Sequence, residues 1–164
     1  MTAEEAQAEV RQMRPEDTAA VAGWHYDGPW SVYDDHDQVA TAANGYHAIV
    51  QSGTDELLGY VCVGAAARVP GLAEEPGAVD VGFGLGPPIV GRGRGGSIIG
   101  PALVWLEDHL GAKEMRVVVQ SWNQRSLRLC RRLGFEEVGR HEVLGAQGPV
   151  DYLVLRSTRT GLRQ

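Results

Sequence analysis

Four glycines and two arginines are concentrated in one segment of the chain, Val90-Gly91-Arg92-Gly93-Arg94-Gly95-Gly96-Ser97. Apolar residues at helical spacing follow it, namely Ile98, Ile99, Ala102, Leu103, Leu106 and Leu110. The N–H groups at the start of a helix have no partners within the helix and lie at the positive end of its dipole. Glycines let the main chain approach an anion closely, and arginines add positive charge. The segment therefore predicts a phosphate-binding turn, although glycines that only permit a tight connection would give the same pattern.

The spacing of these glycines excludes two common nucleotide-binding motifs. The P-loop pattern G-x-x-x-x-G-K-[ST] is absent, and the sole lysine in the region, Lys113, lies beyond the segment. A Rossmann dinucleotide fingerprint needs G-x-G-x-x-G after the first strand of a βαβ unit. In this chain the last glycine does not have the required spacing, and the preceding strands are predicted to form an antiparallel meander. A Rossmann dinucleotide site is therefore also disfavoured.

Strand and helix patterns alternate along the rest of the chain. Predicted strands cover residues 9–13, 46–51, 57–65, 78–85, 115–120, 135–144 and 150–155. Predicted helices cover residues 18–22, 98–110 and 123–133, and Asp17 is the candidate N-cap of the first. Because residues 52–56 have a turn composition, the second and third strands should pair as an antiparallel hairpin. The order β, α, β, β, β, α, β, α, β, β predicts an α/β (α+β) fold, a mixed sheet flanked by helices.

Length and composition favour a single domain. With 164 residues, 43% of them hydrophobic, we expect one domain over residues 1–164 with short flexible tails at about 1–8 and 157–164. A formal net charge of −6 disfavours a nucleic-acid partner. The chain has no apolar run of membrane-spanning length and no basic leader, so we expect no membrane partner. Cys62 and Cys130 lack the C-x-x-C spacing of zinc or redox sites, which favours reduced thiols in a cytoplasm.

Two separate blocks of the sequence resemble the GNAT superfamily of acyl-CoA-dependent N-acyltransferases. The acyl-CoA motif of that family, Q/R-x-x-G-x-G/A at a strand-to-helix turn, is similar to residues 90–95, with Val90 in place of the polar first residue. The family pattern N-x-x-[AS]-x-x-[LC]-Y-x-x-x-G-F is matched by Asn123, Ser126, Leu129, Gly134 and Phe135. At the tyrosine position of that pattern this chain has Cys130. The resemblance covers residues 10–155 and implies a GNAT-like fold with a mostly antiparallel central sheet.

The resemblance implies a binding site for acetyl-CoA as the acyl-donor cosubstrate. The pantetheine arm would lie in a gap between the central strands and bond to the backbone of residues 84–86, while the pyrophosphate would contact N–H groups of residues 91–97. The N–H group of Leu85 would bind the oxyanion of the thioester. Asn123 would either contact pantetheine or cap the following helix. The implied donor-binding residues are Leu85, Val90, Gly91, Arg92, Gly93, Arg94, Gly95, Gly96, Ser97 and Asn123.

Acyl transfer to an amine needs a base for the ammonium and an acid for the leaving thiolate. Asp80 precedes Gly93 by 13 positions, the offset of the general-base glutamate in the histone-acetyltransferase branch of the family. The resemblance thus implies that Asp80 is the base, acting through a water, although Asp80 could instead fix a loop or bind a cationic substrate. Cys130 could supply the proton, because an unperturbed thiol pKa near 8.5 suits coenzyme A. Cys130 could equally be an inert core residue, in which case water or Ser126 would act instead.

Large aromatic side chains are clustered in the segment that, by the resemblance to the GNAT superfamily, would overhang the acceptor site. The candidate acceptor-binding residues are Trp24, Tyr26, Trp30 and Tyr33. With Asp27, Asp34 and Asp35 nearby, these rings would suit a cationic amine, or they could form a small core that pins the loop. The spacing of His25, His36 and His47 does not suggest a metal site, so we expect no metal.

Together, these features imply a cytoplasmic N-acetyltransferase of the GNAT type. It would move an acetyl group from acetyl-CoA to a primary amine by direct attack in a ternary complex. The acceptor would be a small-molecule amine or a protein amino group, and a homodimer stays open. The alternatives are a non-catalytic acyl-CoA-binding sensor or partner module, and a small protein that binds an aromatic ligand and uses the glycine turn only structurally.

Overall fold

The computed structural model describes residues 7–35 and 39–158. Its strands are β1 (Ala8–Gln12), β2 (Tyr46–Gln51), β3 (Leu57–Val63), β4 (Val79–Leu85), β5 (Glu114–Gln120), β6 (Glu136–Gly145) and β7 (Gly148–Thr158). Its helices are α1 (Pro15–Ala22), α2 (Gly95–Leu110) and α3 (Gln124–Arg132). Three short 3-10 turns cover Gly28–Tyr33, Ala42–Asn44 and Gly64–Ala67. The order of strands and α-helices is the one that the sequence predicts.

The seven strands form one sheet in the order β1-β2-β3-β4-β5-β7-β6. The predicted hairpin is confirmed, since β2 and β3 pair antiparallel. Every neighbouring pair in the sheet is antiparallel except β4 and β5, which are parallel. The prediction of a mixed, mostly antiparallel sheet flanked by helices is therefore confirmed.

The parallel pairing of β4 with β5 is very short. Only Val79 with Met115 and Asp80 with Arg116 are register partners, and beyond them the two strands separate. A strand that loses its neighbour exposes main-chain N–H and C=O groups along that edge. The sheet therefore contains a wedge-shaped gap at its centre, open towards the carboxyl ends of β4 and β5.

Helix α2 packs its apolar face against the sheet. Ile98, Ile99, Ala102, Leu103 and Leu106, all part of the predicted helical period, are buried in the main core. The helix begins at Gly95, three residues before the predicted start, because Arg94 serves as the N-cap. The main core also includes Val81 of β4 and Val117 and Val119 of β5, so it joins α2 to both strands that border the gap.

The first helix begins earlier than the sequence suggests, and Asp17 is not its N-cap. Arg14 occupies that position and Pro15 is the first helical residue, where the missing N–H group costs nothing. Asp17 instead lies one turn in and accepts hydrogen bonds from Arg14 N–H (2.9 Å) and Arg11 Nη1 (2.6 Å). This buried carboxylate joins β1 to the start of α1.

The predicted tails are covered only in part. Ala8 begins β1 and Thr158 ends β7, so strand pairing extends slightly into both ranges. Residues 1–6 and 159–164, like His36, lie outside the described residues. Within residues 7–35 and 39–158, no helix has the length and apolar character needed to cross a membrane.

The Asp17→Asn substitution is expected to lower the free energy of unfolding by about 1–3 kcal/mol at neutral pH, because it weakens charge-assisted hydrogen bonds to Arg11 and Arg14. Burial acts to raise the pKa of Asp17, but the hydrogen bonds from Arg11 and Arg14 outweigh it and lower that pKa overall. A lowered pKa stabilises the fold fully above the unfolded value of about 3.9 and progressively less as the pH falls through the folded value.

Urea unfolding at a series of pH values should therefore show the difference between the native protein and Asp17→Asn shrinking below about pH 4. The control is Glu16→Gln, which changes an exposed carboxylate in the same turn and should have little effect. A difference that stays constant over this pH range would contradict the role assigned to Asp17.

Candidate functional site

A cavity of about 560 Å³ occupies the gap between β4 and β5, a volume typical of small-molecule sites. Strand residues 81–85 and 117–119 form two of its sides. The other walls come from the 3-10 turn at Gly28–Tyr33, the segment 65–72 and the first turns of α3. The cavity therefore joins the surroundings of the glycine-rich turn to the aromatic segment.

The edge of β4 that faces the gap can be identified from its hydrogen bonds. Gly86 N–H donates to Leu58 O at 2.8 Å, so Gly86 points towards β3. In an antiparallel pair, orientation alternates along the strand, so Phe83 and Leu85 direct their N–H and C=O groups towards the gap. Residues 84–86 are predicted to bond to pantetheine, but among them Leu85 alone directs its N–H and C=O groups towards the gap. Gly84 and Gly86 direct theirs towards β3, and this corrects the prediction for these two residues.

The glycine-rich turn is open where it enters α2. Gly91 and Gly93 have φ values of +77° and +74°, which L side chains rarely adopt. Arg94 makes no side-chain capping hydrogen bond, and Ile98 N–H is the first to bond back, to Arg94 O at 3.2 Å. The N–H groups of residues 95–97 at the start of the helix therefore have no acceptor within it.

The other residues predicted to bind the donor lie around this turn. Val90 lines the cavity, whereas Gly91, Arg92, Gly93 and Ser97 are exposed beside it. The guanidinium of Arg125, at the start of α3, lies close enough that a Cβ on Gly91 would be 3.5 Å from its Nη2. An anion bound at the turn would thus meet free N–H groups and positive charge together.

Asn123 caps α3 and holds the aromatic turn in place. Its side chain is buried, and its Oδ1 accepts from Ser126 N–H and Trp30 Nε1–H, each at 3.2 Å. Its Nδ2 donates to the Tyr33 hydroxyl at 3.0 Å. The capping role weighed for Asn123 is therefore observed, and its polar atoms reach the aromatic segment.

Three of the four predicted aromatic residues line the cavity: Tyr26, Trp30 and Tyr33. The Tyr26 hydroxyl donates to Leu85 O at 2.7 Å, and burial raises the pKa of Tyr26 to about 12, so this phenol stays protonated at neutral pH. Trp24 does not line the cavity, and this corrects the prediction. A second buried cluster, separate from the main core, includes Val21 of α1 and Tyr46 and Ala48 of β2. Because it follows α1 directly, Trp24 packs against this cluster and stacks on Tyr60, with ring centroids 6.2 Å apart.

Asp80 is not among the residues that line the cavity. It is 4% exposed, and its two oxygens accept from Arg116 Nε at 2.6 Å and Arg68 Nη1 at 3.0 Å. Arg116 also bonds to Ala73 O at 2.7 Å and pairs with Glu75. Since both carboxylate oxygens are taken by guanidinium groups, the geometry does not fit a base and fits an acid that fixes a loop.

Cys130 also lies away from the cavity. It is fully buried in the main core, and burial raises the pKa of its thiol to about 12. Ser126 and Leu129, three residues apart on α3, line the cavity, whereas Cys130 is one residue further round the helix. The structure thus corrects the prediction of Cys130 as an acid, because its thiol cannot reach a substrate there.

Tyr60 and Arg68 line the cavity but were missed by the sequence analysis. The sequence does contain a signal that could have predicted the position of Tyr60, namely the glycines that leave one face of β4 without side chains. A Cβ on Gly84 would lie 2.5 Å from the Tyr60 ring, so this ring covers the bare strand. Arg68 follows the turn at Gly64–Ala67 and has no local sequence signal.

Potential metal ligands are dispersed in the part of the chain that the structure describes. No group of three or more His, Cys, Asp and Glu side chains there could hold an ion. His25 pairs with Asp34, and His47 packs against Trp105 with ring centroids 5.1 Å apart. His36 lies outside the described residues.

Comparisons with known proteins agree with this architecture. The family model of an acetyltransferase (GNAT) domain matches residues 2–136. No curated protein sequence matches the chain. Among solved structures, the chain is similar to an acetyltransferase (GNAT family) from Bacillus anthracis, at 14% identity and a TM-score of 0.72 over 94% of this chain and 96% of that one.

Two further structures share the fold. One is AAC(6')-Ib in complex with parmomycin and acetylCoA, at 19% identity and a TM-score of 0.66 over 96% of this chain and 97% of that one. The other is a spermidine N-acetyltransferase SpeG chimera from Vibrio cholerae and hSSAT, at 16% identity and a TM-score of 0.66 over 96% and 99% of the two chains. At these identities the likeness concerns the fold alone.

Asp80→Asn is expected to lower the free energy of unfolding by about 3–5 kcal/mol, because it leaves the buried Arg116 guanidinium without its charged partner. The matched control is Glu75→Gln, which alters the exposed end of the same network and should cost less than about 1 kcal/mol. Urea unfolding of both variants measures the difference. A loss at Asp80 no larger than that at Glu75 would show that this ion pair does not stabilise the sheet.

Proposed function

The chain belongs to the GNAT acetyltransferase family, and from this premise we propose that it transfers an acetyl group from acetyl-CoA to a primary amine. The observation that carries the proposal is the cavity itself. The gap-facing edge of β4 borders this cavity, and the unpaired N–H groups of α2 lie beside it. An extended amide chain and an attached pyrophosphate need these two features side by side.

The donor would lie along β4 with its phosphates at the turn. The pantetheine arm would run from the turn to Leu85, where the thioester lies, so its amides would bond to main-chain groups at Leu85 and between Leu85 and the turn. The pyrophosphate would contact N–H groups of residues 91–97, with Arg125 beside it. The named relatives support this choice of donor, since one of them is a complex with acetylCoA. We infer that residues 1–164 form a single domain of this kind, because one continuous sheet carries both buried clusters.

The reaction would be a direct attack in a ternary complex. The amine nitrogen forms a bond to the thioester carbonyl carbon, the C–S bond breaks, and the Leu85 N–H group stabilises the oxyanion. The cavity thiol of Cys62 is an unsuitable nucleophile, because burial raises its pKa to about 12. This argues against an acyl-enzyme intermediate on that thiol.

Proton transfers would not use Asp80 or Cys130. Water in the cavity would take the ammonium proton, because Asp80 is held by two arginines. The leaving thiolate would receive its proton from water or from the Ser126 hydroxyl, which lines the cavity. Orientation and backbone electrostatics would then carry most of the rate enhancement.

A non-catalytic acyl-CoA-binding module is the second candidate. The positions of Asp80 and Cys130 favour it, because neither of the expected acid and base groups lines the cavity. Release of coenzyme A from acetyl-CoA, measured with a panel of primary amines, separates the two functions. Amine-dependent release supports the transferase, whereas donor binding without release supports the binding module.

Acetyl-CoA at about 100 times its Kd should stabilise the native protein by about 2.7 kcal/mol, seen as a higher Tm. Gly93→Val should weaken donor binding about tenfold or more, because valine rarely adopts the φ of +74° that the turn requires. The control is Gly53→Val, which introduces the same strain at a φ of +87° in the β2–β3 turn.

Both variants should lose intrinsic stability, but only Gly93→Val should also lose most of the shift in Tm that acetyl-CoA causes. An unchanged shift in Gly93→Val would mean that the donor does not bind at the glycine-rich turn.

A further inference from the structure

One end of the cavity combines small apolar residues with a single guanidinium group. The segment after β3 contributes Ala65, Ala66, Ala67, Arg68, Val69, Pro70 and Leu72. Arg68 contacts Asp80 at the start of β4, whereas the glycine-rich turn follows the end of that strand. At about 3.3 Å per residue, Asp80 lies roughly 16 Å from Leu85. Arg68 therefore stands at the end opposite the proposed pyrophosphate site.

The Arg68 side chain is oriented by buried groups. Its Nη1 donates to Asp80 Oδ2 at 3.0 Å, and Asp80 is itself held by Arg116 Nε at 2.6 Å. Arg116 is 6% exposed and Arg68 23% exposed, so the guanidinium of Arg68 is supported from behind and still borders the cavity. A guanidinium has five N–H donors and can bind a carboxylate while keeping one bond to Asp80.

The charges on the cavity wall differ from those that a polycation would need. Among the described residues that line it, Arg68 and Arg125 are basic and Asp35 is the one acid. Arg125 lies at the other end, with its guanidinium carbon 4.2 Å from the centre of the Trp30 ring. Asp80 balances the charge of Arg68, but the N–H groups of Arg68 that do not bond to Asp80 are donors only, so they fit an anionic acceptor group and not a second ammonium.

We propose that the acceptor is an ω-amino acid, whose carboxylate binds Arg68 while its amine reaches the thioester at Leu85. This assignment rests on the proposed acetyl transfer. The distance along β4 requires several bonds between the two groups, and the alanine-rich wall suits the aliphatic chain that connects them. Arg68 acts as a specificity residue, because it touches the acceptor and does not take part in bond making.

The test compares three amines of equal chain length: 5-aminopentanoate, pentylamine and 1,5-diaminopentane. Coenzyme A release should give a kcat/KM at least about tenfold higher for 5-aminopentanoate than for the other two, mainly through a lower KM. In Arg68→Gln the ratio of 5-aminopentanoate to pentylamine should fall towards one, and Arg68→Lys should restore part of it. Arg140→Gln, an exposed arginine on β6 paired with Asp151, should keep the native ratio.

A second measurement does not depend on turnover. With coenzyme A present, 5-acetamidopentanoate should bind about tenfold more tightly than N-pentylacetamide, and Arg68→Gln should remove the difference. The shift in Tm caused by acetyl-CoA checks that each variant is folded. Equal binding of the two compounds by the native protein, a preference for 1,5-diaminopentane, or an unchanged preference in Arg68→Gln would overturn the proposal.

Failure of the proposed function has a different result. Coenzyme A would not be released with any of the three amines, while 5-acetamidopentanoate still bound preferentially through Arg68. In that case the assignment of Arg68 as an anion-binding residue would be supported, and the proposed acetyl transfer would be contradicted.

Discussion

The architecture depends on the short length of the parallel pairing between β4 and β5. They share two register positions, and the second of these joins Asp80 to Arg116 in a buried ion pair. Past this point the gap-facing main chain of β4 borders a cavity in place of a neighbouring strand. A longer parallel ladder would consume those N–H and C=O groups, whereas an early separation leaves an edge inside the sheet that an extended ligand can complete.

The ion pair at this point belongs to a larger network that stabilises the cavity wall. Three arginines, Arg68, Arg116 and Arg156, alternate with three acids, Asp80, Glu75 and Glu114. Asp80 and Arg116 are its buried members, and buried charges are costly unless they are paired; here each of the two has two charged partners. Because Arg116 and Arg156 both bond to Glu75, the network ties the segment before β4 to β5 and β7. Asp80 thus has a structural task, and the two guanidinium groups that hold its carboxylate do not fit the role of base.

Local signals in the sequence predict the elements and the donor side of the site. The glycine-rich turn, the period of α2 and the cap at Asn123 are each encoded within a few residues, and the structure has all three. The errors concern side-chain direction. Whether Cys130 or Ser126 faces the cavity depends on how α3 is rotated about its axis. The position of the Trp24 side chain depends on its packing against β3. Arg68 reaches the site through tertiary structure alone, so nothing near it in the chain marks it.

The hydrogen bond from the Tyr26 hydroxyl to Leu85 O limits how the sequence of the 26–33 loop can be changed. The loop proposed to bind the acceptor is bonded to the strand proposed to bind the donor, and Asn123 bonds to the same loop at Trp30 and Tyr33. The two halves of the cavity are therefore not separate modules. Replacing residues 26–33 with a different loop, to bind a new amine, would also disturb the strand edge beneath it. A change in selectivity for the amine would therefore also change the affinity for the donor.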